Sequence, residues 1–126
     1  IDEETNVRNS KHLHFITTTG HIYRYFFADV IIINGTSTVE VEACAIKKPL
    51  FIVRTCFSNI SDRFGMIDTG TATGITDLCE IEYNLVKHFK DGSFHYPKLQ
   101  EKRIKDMGIT FDGKMHKRIQ DRLARM

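Results

Sequence analysis

Two short apolar segments, separated by one helix-sized stretch, constrain the fold of this chain more than any other feature. The first is Asp29-Val-Ile-Ile-Ile-Asn34 and the second is Leu50-Phe-Ile-Val53. The first segment is too uniformly apolar for a strand with one face in water, so we expect a central parallel strand that is covered on both faces. Strand, helix and strand in this order predict a βαβ unit with a right-handed crossover.

The stretch between the two strands carries the start and stop signals of a helix. Ser37 is followed three positions later by Glu40, which is the spacing of a capping box. Apolar or small residues then share one helical face: Val39, Ala43 and Ile46. Lys47-Lys48 complements the dipole at the C-terminal end, and Pro49 prevents the helix from continuing. We therefore expect a short helix that starts at Ser37 and ends before Pro49.

Hydrophobic periodicity organises the rest of the chain around this unit. Residues 1–11 are polar and show no periodicity, which predicts a lead-in or the remaining end of a linker. A single domain is therefore expected over 12–126. The expected elements are a strand at 13–18, a helix at 22–28, a loop at 54–75 around a short strand at 65–68, and helices at 76–90, 101–107 and 114–126. The predicted buried stripes are Leu78, Ile81, Leu85 and Phe89 in the first of these three helices, and Met115, Ile119 and Leu123 in the last. The fold class is α/β, with a parallel sheet flanked by helices and ending in C-terminal helices.

The amino-acid composition is typical of a globular domain. With 126 residues, 41% of them hydrophobic and 27% charged, the chain has ordinary globular usage and room for one core. No apolar run approaches the roughly 20 residues of a membrane helix, and the start lacks a secretion signal. Three widely spaced cysteines fit neither a zinc pattern nor a disulfide scaffold, which favours a reducing, cytoplasmic location. Because the chain begins at Ile1 rather than Met, we expect a fragment of a longer protein.

The charge of the chain is small in sum and uneven in distribution. A net charge of +2 is too low to indicate nucleic acid as a partner. From residue 98 to residue 126, however, nine Lys or Arg stand against four Asp or Glu. The C-terminal helices therefore present either a solvated basic face or a face that contacts anionic lipid, which would make the protein peripheral to a membrane.

The junction between the first strand and its helix is the sharpest chemical feature. It reads Asn34-Gly35-Thr36-Ser37-Thr38. In parallel α/β sheets, ligands bind at the carboxyl ends of strands, where helix N-termini offer unpaired N–H groups to phosphate. Gly35 permits a close backbone approach, and the three hydroxyl residues that follow can donate to phosphate oxygens. The same residues also serve as ordinary helix caps, so both interpretations stand at this point.

The segment from Asp29 to Pro49 resembles a segment of GT-B enzymes. The matching residues are Ala28-Asp29, the strand Val30 to Ile33, the turn Gly35 to Thr38, Glu42-Ala43 and Lys48-Pro49. Lipid A disaccharide synthases, peptidoglycan N-acetylglucosaminyltransferases, UDP-N-acetylglucosamine 2-epimerases and teichoic-acid CDP-glycerol polymerases share versions of this pattern. The closing stretch Phe111-Asp-Gly-Lys114 with Arg118-Ile119 is similar to the closing helix of these enzymes.

The resemblance implies the C-terminal, Rossmann-like half of a glycosyltransferase of cell-surface polysaccharide or glycolipid synthesis, which binds a UDP-type or CDP-type sugar. The turn Gly35, Thr36, Ser37 and Thr38 would then contact the diphosphate, and Glu42 would accept hydrogen bonds from ribose or sugar hydroxyls. The remaining residues expected at the cleft are Arg54, Thr55, Gly20 and His21. A separate N-terminal domain would supply the acceptor site and the catalytic base. Neither a metal nor another cofactor is implied.

Departures from the pattern keep two alternatives open. The epimerases carry Asp-Ser-Gly-Gly and a paired Glu-Glu where this chain has Asn34-Gly-Thr-Ser-Thr38 and one matching glutamate. Val53-Arg54-Thr55, followed later by Gly70-Thr71, is nevertheless similar to the epimerase stretch after the second strand. A UDP-sugar 2-epimerase-like domain is therefore one alternative, and a non-catalytic α/β binding module is the other.

The six histidines predict no metal site, since His12 and His14 alternate on a strand without a third ligand.

Overall fold

The computed structural model describes residues 24–54 and 62–126. The predicted lead-in at 1–11 and the predicted strand at 13–18 lie outside the described residues. The elements in chain order are α1 (Arg24–Phe27), β1 (Ile31–Asn34), α2 (Val39–Ala45), β2 (Leu50–Val53), β3 (Thr73–Ile75), α3 (Cys79–Asp91), α4 (Pro97–Asp106) and α5 (Met115–Leu123). The described chain is thus an alternation of helices and strands, as expected for the α/β class.

The three described strands form one parallel sheet in the order β1-β2-β3. This confirms the predicted βαβ unit, because α2 connects the parallel neighbours β1 and β2. The prediction that β1 is the central, doubly covered strand is wrong within the described part of the chain, where β2 is central and buried at all four positions. Ile32 of β1 is 43% exposed. It lies beside Phe51 in the register but outside the apolar cluster that α3 covers.

Helices cover both faces of the sheet, and β2 supplies alternate residues to the two cores. Leu50 and Ile52 pack in a cluster with residues of α2 and α4, whereas Phe51 and Val53 pack with Ile75 under α3. Because successive residues of a strand point to opposite faces, four consecutive apolar residues serve both layers. A small parallel sheet between two helical layers is therefore the architecture of the described residues.

The start of α2 confirms the predicted capping box. The Ser37 amide donates to the Glu40 carboxylate at 3.0 Å, and the Val39 amide donates to the Ser37 hydroxyl at 3.3 Å. At the other end, the Lys48 amide donates to the Ala43 carbonyl at 3.0 Å. Lys47, immediately before it, has a left-handed φ of 57°. These bonds define a Schellman motif, so α2 is fixed at both ends by local hydrogen bonds.

The predicted strand at 65–68 is wrong, since this segment forms turns and β3 begins only at Thr73. The Asp62 carboxylate accepts the amides of residues 66, 67 and 68 at 2.8–3.0 Å. Those amides are therefore used locally and cannot pair with a neighbouring strand. Gly65 has a φ of 62°, and a Cβ there would lie 3.0 Å from the Arg103 guanidinium. The turn is thus set by one acidic side chain and one glycine.

The amphipathic stripe predicted for α3 is confirmed only at its centre. Ile81 and Leu85 pack against the second apolar cluster, while Leu78 and Phe89 are exposed. The described sheet has three strands, and of the four predicted residues only Ile81 and Leu85 reach the apolar cluster on its α3 side. Gly92 ends α3 in a left-handed conformation, which is the common role of glycine after a helix.

The two C-terminal helices differ from the sequence prediction in different ways. α4 begins at Pro97, which occupies the first turn of the helix rather than a loop, as proline readily does. Met115, Ile119 and Leu123 of α5 were predicted to be buried and are instead 57%, 53% and 62% exposed. No residue of α5 is buried in the described structure, because no described element covers its apolar face.

Candidate functional site

The carboxyl edge of the sheet brings the predicted turn next to Arg54. Asn34 pairs with Val53 in the register, so the residues that follow them leave the sheet side by side. The Gly35 amide donates to the Val53 carbonyl at 3.1 Å, and the Arg54 amide donates to the Ile75 carbonyl at 2.7 Å. Three consecutive strand ends are therefore joined by main-chain hydrogen bonds at the edge where ligands of parallel sheets bind.

The turn itself is built around a glycine in a left-handed conformation. Gly35 has a φ of 83° and is buried, and a side chain is disfavoured at such a φ. Thr36 and Ser37 are half-buried, and Thr38 is exposed. Among the hydroxyl residues of the turn, Thr38 is thus the most accessible to a ligand.

The hydrogen bonds at the start of α2 use main-chain N–H groups that the sequence analysis expected to bind phosphate. The amides of Ser37 and Val39 are bound to the Glu40 and Ser37 side chains, and the Glu40 amide donates to the Ser37 carbonyl at 3.0 Å. The Thr38 side chain makes no capping hydrogen bond. A ligand at this edge would therefore meet the Thr38 hydroxyl and the half-buried Arg54 before it met the first amides of α2.

Glu40 is the charged residue of this edge that sequence reasoning assigned only to the cap. Its side chain is nearly inaccessible, with a residue exposure of 2%. Burial raises the pKa of Glu40, the Ser37 amide opposes this shift, Asp62 adds to it, and Arg54 opposes it. The carboxyl end of the sheet therefore holds a buried carboxyl group within electrostatic reach of one cation and one further anion. The capping-box spacing was the only sequence signal for this group, and it did not reveal the burial.

Glu42 lies one helical turn beyond Thr38. Residues four apart in a helix share a face, so Glu42 is on the Thr38 side of α2. It is half-buried. This position is compatible with the predicted contact to a ribose or sugar hydroxyl. The predicted site residues Thr55, Gly20 and His21 lie outside the described residues.

A second polar cluster, which the sequence did not indicate, lies at the opposite, amino edge of the sheet. Asp29, Lys48, His88 and His95 line a cavity of about 400 Å³ there. His88 Nδ1 lies 2.7 Å from the Ser93 carbonyl oxygen, and His95 Nε2 lies 2.7 Å from the Lys47 carbonyl oxygen. Each imidazole thus has one nitrogen bound to the main chain, and the His95 bond ties the end of α2 to the connection between α3 and α4. Over the described ranges, no group of three or more His, Cys, Asp or Glu could hold a metal ion.

Comparison with known proteins adds no family to this description. No protein-family model matches the chain, and neither a curated protein nor a solved structure matches it. The fold and the carboxyl edge define a small α/β domain with a parallel sheet, a class that includes Rossmann-like domains. Of the helices that the structure describes, none is long and apolar enough to cross a membrane.

Proposed function

We propose that the chain is a Rossmann-like domain that binds a UDP-type or CDP-type sugar in a glycosyltransferase of cell-surface polysaccharide or glycolipid synthesis. One observation carries the proposal: the parallel pairing of β1 with β2 puts the Gly35–Thr38 turn beside Arg54 at the carboxyl edge. This is the edge at which open α/β sheets bind nucleotides. The resemblance of residues 29–49 to GT-B enzymes supplies the ligand class.

The described residues suggest how a diphosphate would be held. The guanidinium of Arg54 offers paired donors to phosphate oxygens, and the exposed hydroxyl of Thr38 offers a third. Gly35 leaves room for the main chain to approach the ligand. The carboxyl group of Glu40 opposes an anion here, so the diphosphate would lie on the Arg54 side of the turn rather than directly on the first amides of α2.

In the intact enzyme, this domain would present the donor to a second domain that carries the acceptor and the catalytic base. The leaving diphosphate would gain negative charge as the glycosidic bond breaks. Arg54 and the hydroxyl of Thr38 would stabilise that charge without a metal ion. The role of Glu42 would be to orient the donor through its hydroxyl groups, because a carboxylate accepts hydrogen bonds from paired hydroxyls.

A non-catalytic α/β module is the second candidate, and one observation favours it. The capping box already uses the amides of Ser37, Val39 and Glu40, as in a turn that serves only to start a helix. In that case Arg54 would serve to compensate the buried charge of Glu40. The two candidates differ in a measurable way, since only the first requires affinity for a nucleotide diphosphate.

Calorimetric titration with UDP, CDP and their sugars separates the candidates. We expect Arg54→Gln to weaken binding by tenfold or more and Thr38→Ala to weaken it by severalfold, because both remove donors to phosphate. Ser37→Ala tests the cap instead, because the Ser37 hydroxyl accepts the Val39 amide, and it should reduce the free energy of unfolding by about 1 kcal/mol. Absence of binding at millimolar ligand by folded protein would reject the proposal. Unchanged affinity in both Arg54→Gln and Thr38→Ala would place the ligand at another site.

A further inference from the structure

The apolar face of α5 is exposed along its whole length. Met115, Ile119 and Leu123 follow one another at four-residue intervals and therefore lie on one side of the helix. Phe111, four residues before Met115, and Met126, three residues after Leu123, extend the exposed apolar surface beyond the ends of the helix, and they are 68% and 97% exposed. We call these five residues the α5 stripe. Such a continuous exposed apolar surface marks an interaction site rather than an ordinary solvated helix.

Basic residues border this stripe. Between residues 114 and 126 the chain carries five Lys or Arg and one Asp. A shallow depression of about 360 Å³ is lined by Arg118, Arg122, Arg125 and the single aspartate, Asp121. Arg118 is bound to Asp112 at 2.6 Å, whereas no ion pair is formed by Arg122 or Arg125 among the described residues. The surface around the α5 stripe is therefore cationic.

We infer that α5 docks on the surface of an anionic lipid bilayer. A short helix with an apolar face and a basic border lies in the membrane interface, with the apolar side chains among the acyl chains and the cations at the phosphates. Arginine suits this position because its aliphatic stem can accompany apolar neighbours while its guanidinium remains at the headgroups. The nine residues of α5 are far too few to span a bilayer, so the contact is peripheral.

Charge decides between a bilayer and a second copy of the chain. Two α5 stripes packed against each other would bring two sets of five cations together, and like charges at close range oppose association. An anionic bilayer meets both requirements of the surface, since it buries the apolar stripe and neutralises the cations. Another exposed apolar group, Tyr83 and Val86 on α3, lacks this cationic border because α3 carries Glu80, Glu82 and Asp91 beside its lysines.

Vesicle flotation of the full chain tests the inference. The probes are vesicles of phosphatidylcholine alone and vesicles in which part of the lipid is phosphatidylglycerol. We expect binding only to the anionic vesicles, with strong reduction at high salt. The pair Ile119→Ser with Leu123→Ser removes the apolar contact, and the pair Arg122→Gln with Arg125→Gln removes two cations. Each pair should weaken binding on the order of tenfold or more, because one basic residue near an anionic surface contributes about fivefold.

The control pair is Tyr83→Ser with Val86→Ser, whose side chains are exposed to a similar degree on α3 and should leave vesicle binding unchanged. Since all the substituted residues are exposed, the thermal unfolding transition should also be unchanged in each variant. Three results overturn the inference: failure of the chain to float with anionic vesicles, undiminished flotation of the Ile119→Ser, Leu123→Ser variant, or a dimer in light scattering that this variant abolishes. The test needs no nucleotide and is therefore independent of the proposed function.

Discussion

Glu40 has two roles at the carboxyl edge: it caps α2, and its carboxyl group is buried there. Its carboxylate accepts the Ser37 amide and so completes the start of α2, yet the side chain is buried near Asp62. A buried carboxyl group favours its neutral form, and burial accordingly raises the pKa of Glu40. The hydrogen bond and Arg54 oppose this shift only in part. The cap and the local electrostatics of the candidate site are therefore one structure.

The raised pKa of Glu40 makes a prediction about stability and pH. A carboxyl group whose pKa is higher in the folded chain stabilises the fold below its ordinary pKa of about 4.5, and this contribution is lost as the pH rises through the folded value. Glu40→Gln keeps the acceptor for Ser37 but does not ionise. Wild type and Glu40→Gln should thus be equally stable in acid, and the variant should become the more stable of the two towards neutral pH. Each unit of pKa shift corresponds to about 1.4 kcal/mol.

Urea unfolding of both proteins between acid and neutral pH measures this difference. The two proteins differ only at position 40, so the difference between their stability curves reports on Glu40. Parallel stability curves over the whole range would contradict the prediction. The same variant bears on ligand binding, because a nucleotide diphosphate near Arg54 should bind more tightly once the charge of Glu40 is removed.

At the scale of elements, the end of α2 is held in a conformation that its residue does not favour. Lys47 occupies the left-handed position of the Schellman motif, with a φ of 57°, where glycine is the common residue. Its ammonium group lies 3.1 Å from the Glu101 carboxylate of α4, in an ion pair that is exposed on both sides. Because both side chains are exposed, solvent screens this pair and it contributes little to stability. The backbone strain and the ion pair therefore act in opposite directions.

Replacement of Lys47 by glycine should stabilise the protein when the comparison is made in a variant that lacks the ion pair with Glu101. We expect Lys47→Gly to increase the free energy of unfolding by about 0.5–1 kcal/mol when it is introduced into Glu101→Gln, because the left-handed conformation no longer carries a Cβ penalty. Glu101→Gln alone is the reference that removes the ion pair. Denaturant unfolding of the single and double variants gives the comparison. A double variant less stable than Glu101→Gln would show that the conformation of Lys47 is not strained.

Elements whose signals are local could be predicted from the sequence, and elements that depend on tertiary neighbours could not. The capping box at Ser37, the buried strand Leu50–Val53 and the left-handed end at Gly92 each follow from a few adjacent residues. The turn at Asp62 was missed because three amides of the chain bind one side chain, a pattern that apolar periodicity does not register.

The stripes of α3 and α5 were predicted correctly as patterns and wrongly as buried surfaces. Periodicity identifies which residues share a face of a helix, but it does not say which element covers that face. Leu78 at the start of α3 and Ile119 in α5 are exposed for this reason. The candidate site follows the same rule: the turn Gly35–Thr38 was predictable from its sequence, whereas the burial of Glu40 was not. The charges of Asp62 and Arg54, which act on the pKa of Glu40, also come from other parts of the chain.

At the scale of the whole molecule, two apolar clusters lie on opposite faces of β2. The cluster under α2 and α4 includes Cys44, which is fully buried, and its thiol lies 3.6 Å from the Met66 sulfur. α4 closes this side through Gln100, whose amide donates to the Lys48 carbonyl at 2.8 Å and to the Thr71 carbonyl at 3.3 Å. Access to Cys44 therefore requires α2 or α4 to move away from this cluster, which makes this thiol a reporter of opening.

Thiol labelling under native conditions should distinguish Cys44 from Cys79. Burial raises the pKa of Cys44 to about 11, so at neutral pH the thiol is both inaccessible and protonated. Cys79 is exposed on α3. With iodoacetamide and peptide mapping, we expect Cys79 to be alkylated under native conditions and Cys44 only when denaturant unfolds the domain. Equal rates at the two positions would contradict this prediction and would indicate that α2 or α4 opens readily under native conditions.

The register between Asn34 and Val53 has a consequence for how ligands would affect folding. Gly35 and Arg54 are distant along the chain and adjacent only when the two strands are in register, so an anion that bridges them recognises the native chain and not the denatured one. By mass action, such an anion would delay thermal melting in proportion to the logarithm of its concentration. A melting curve recorded against a panel of anions would thus report strand alignment and ligand preference in a single experiment.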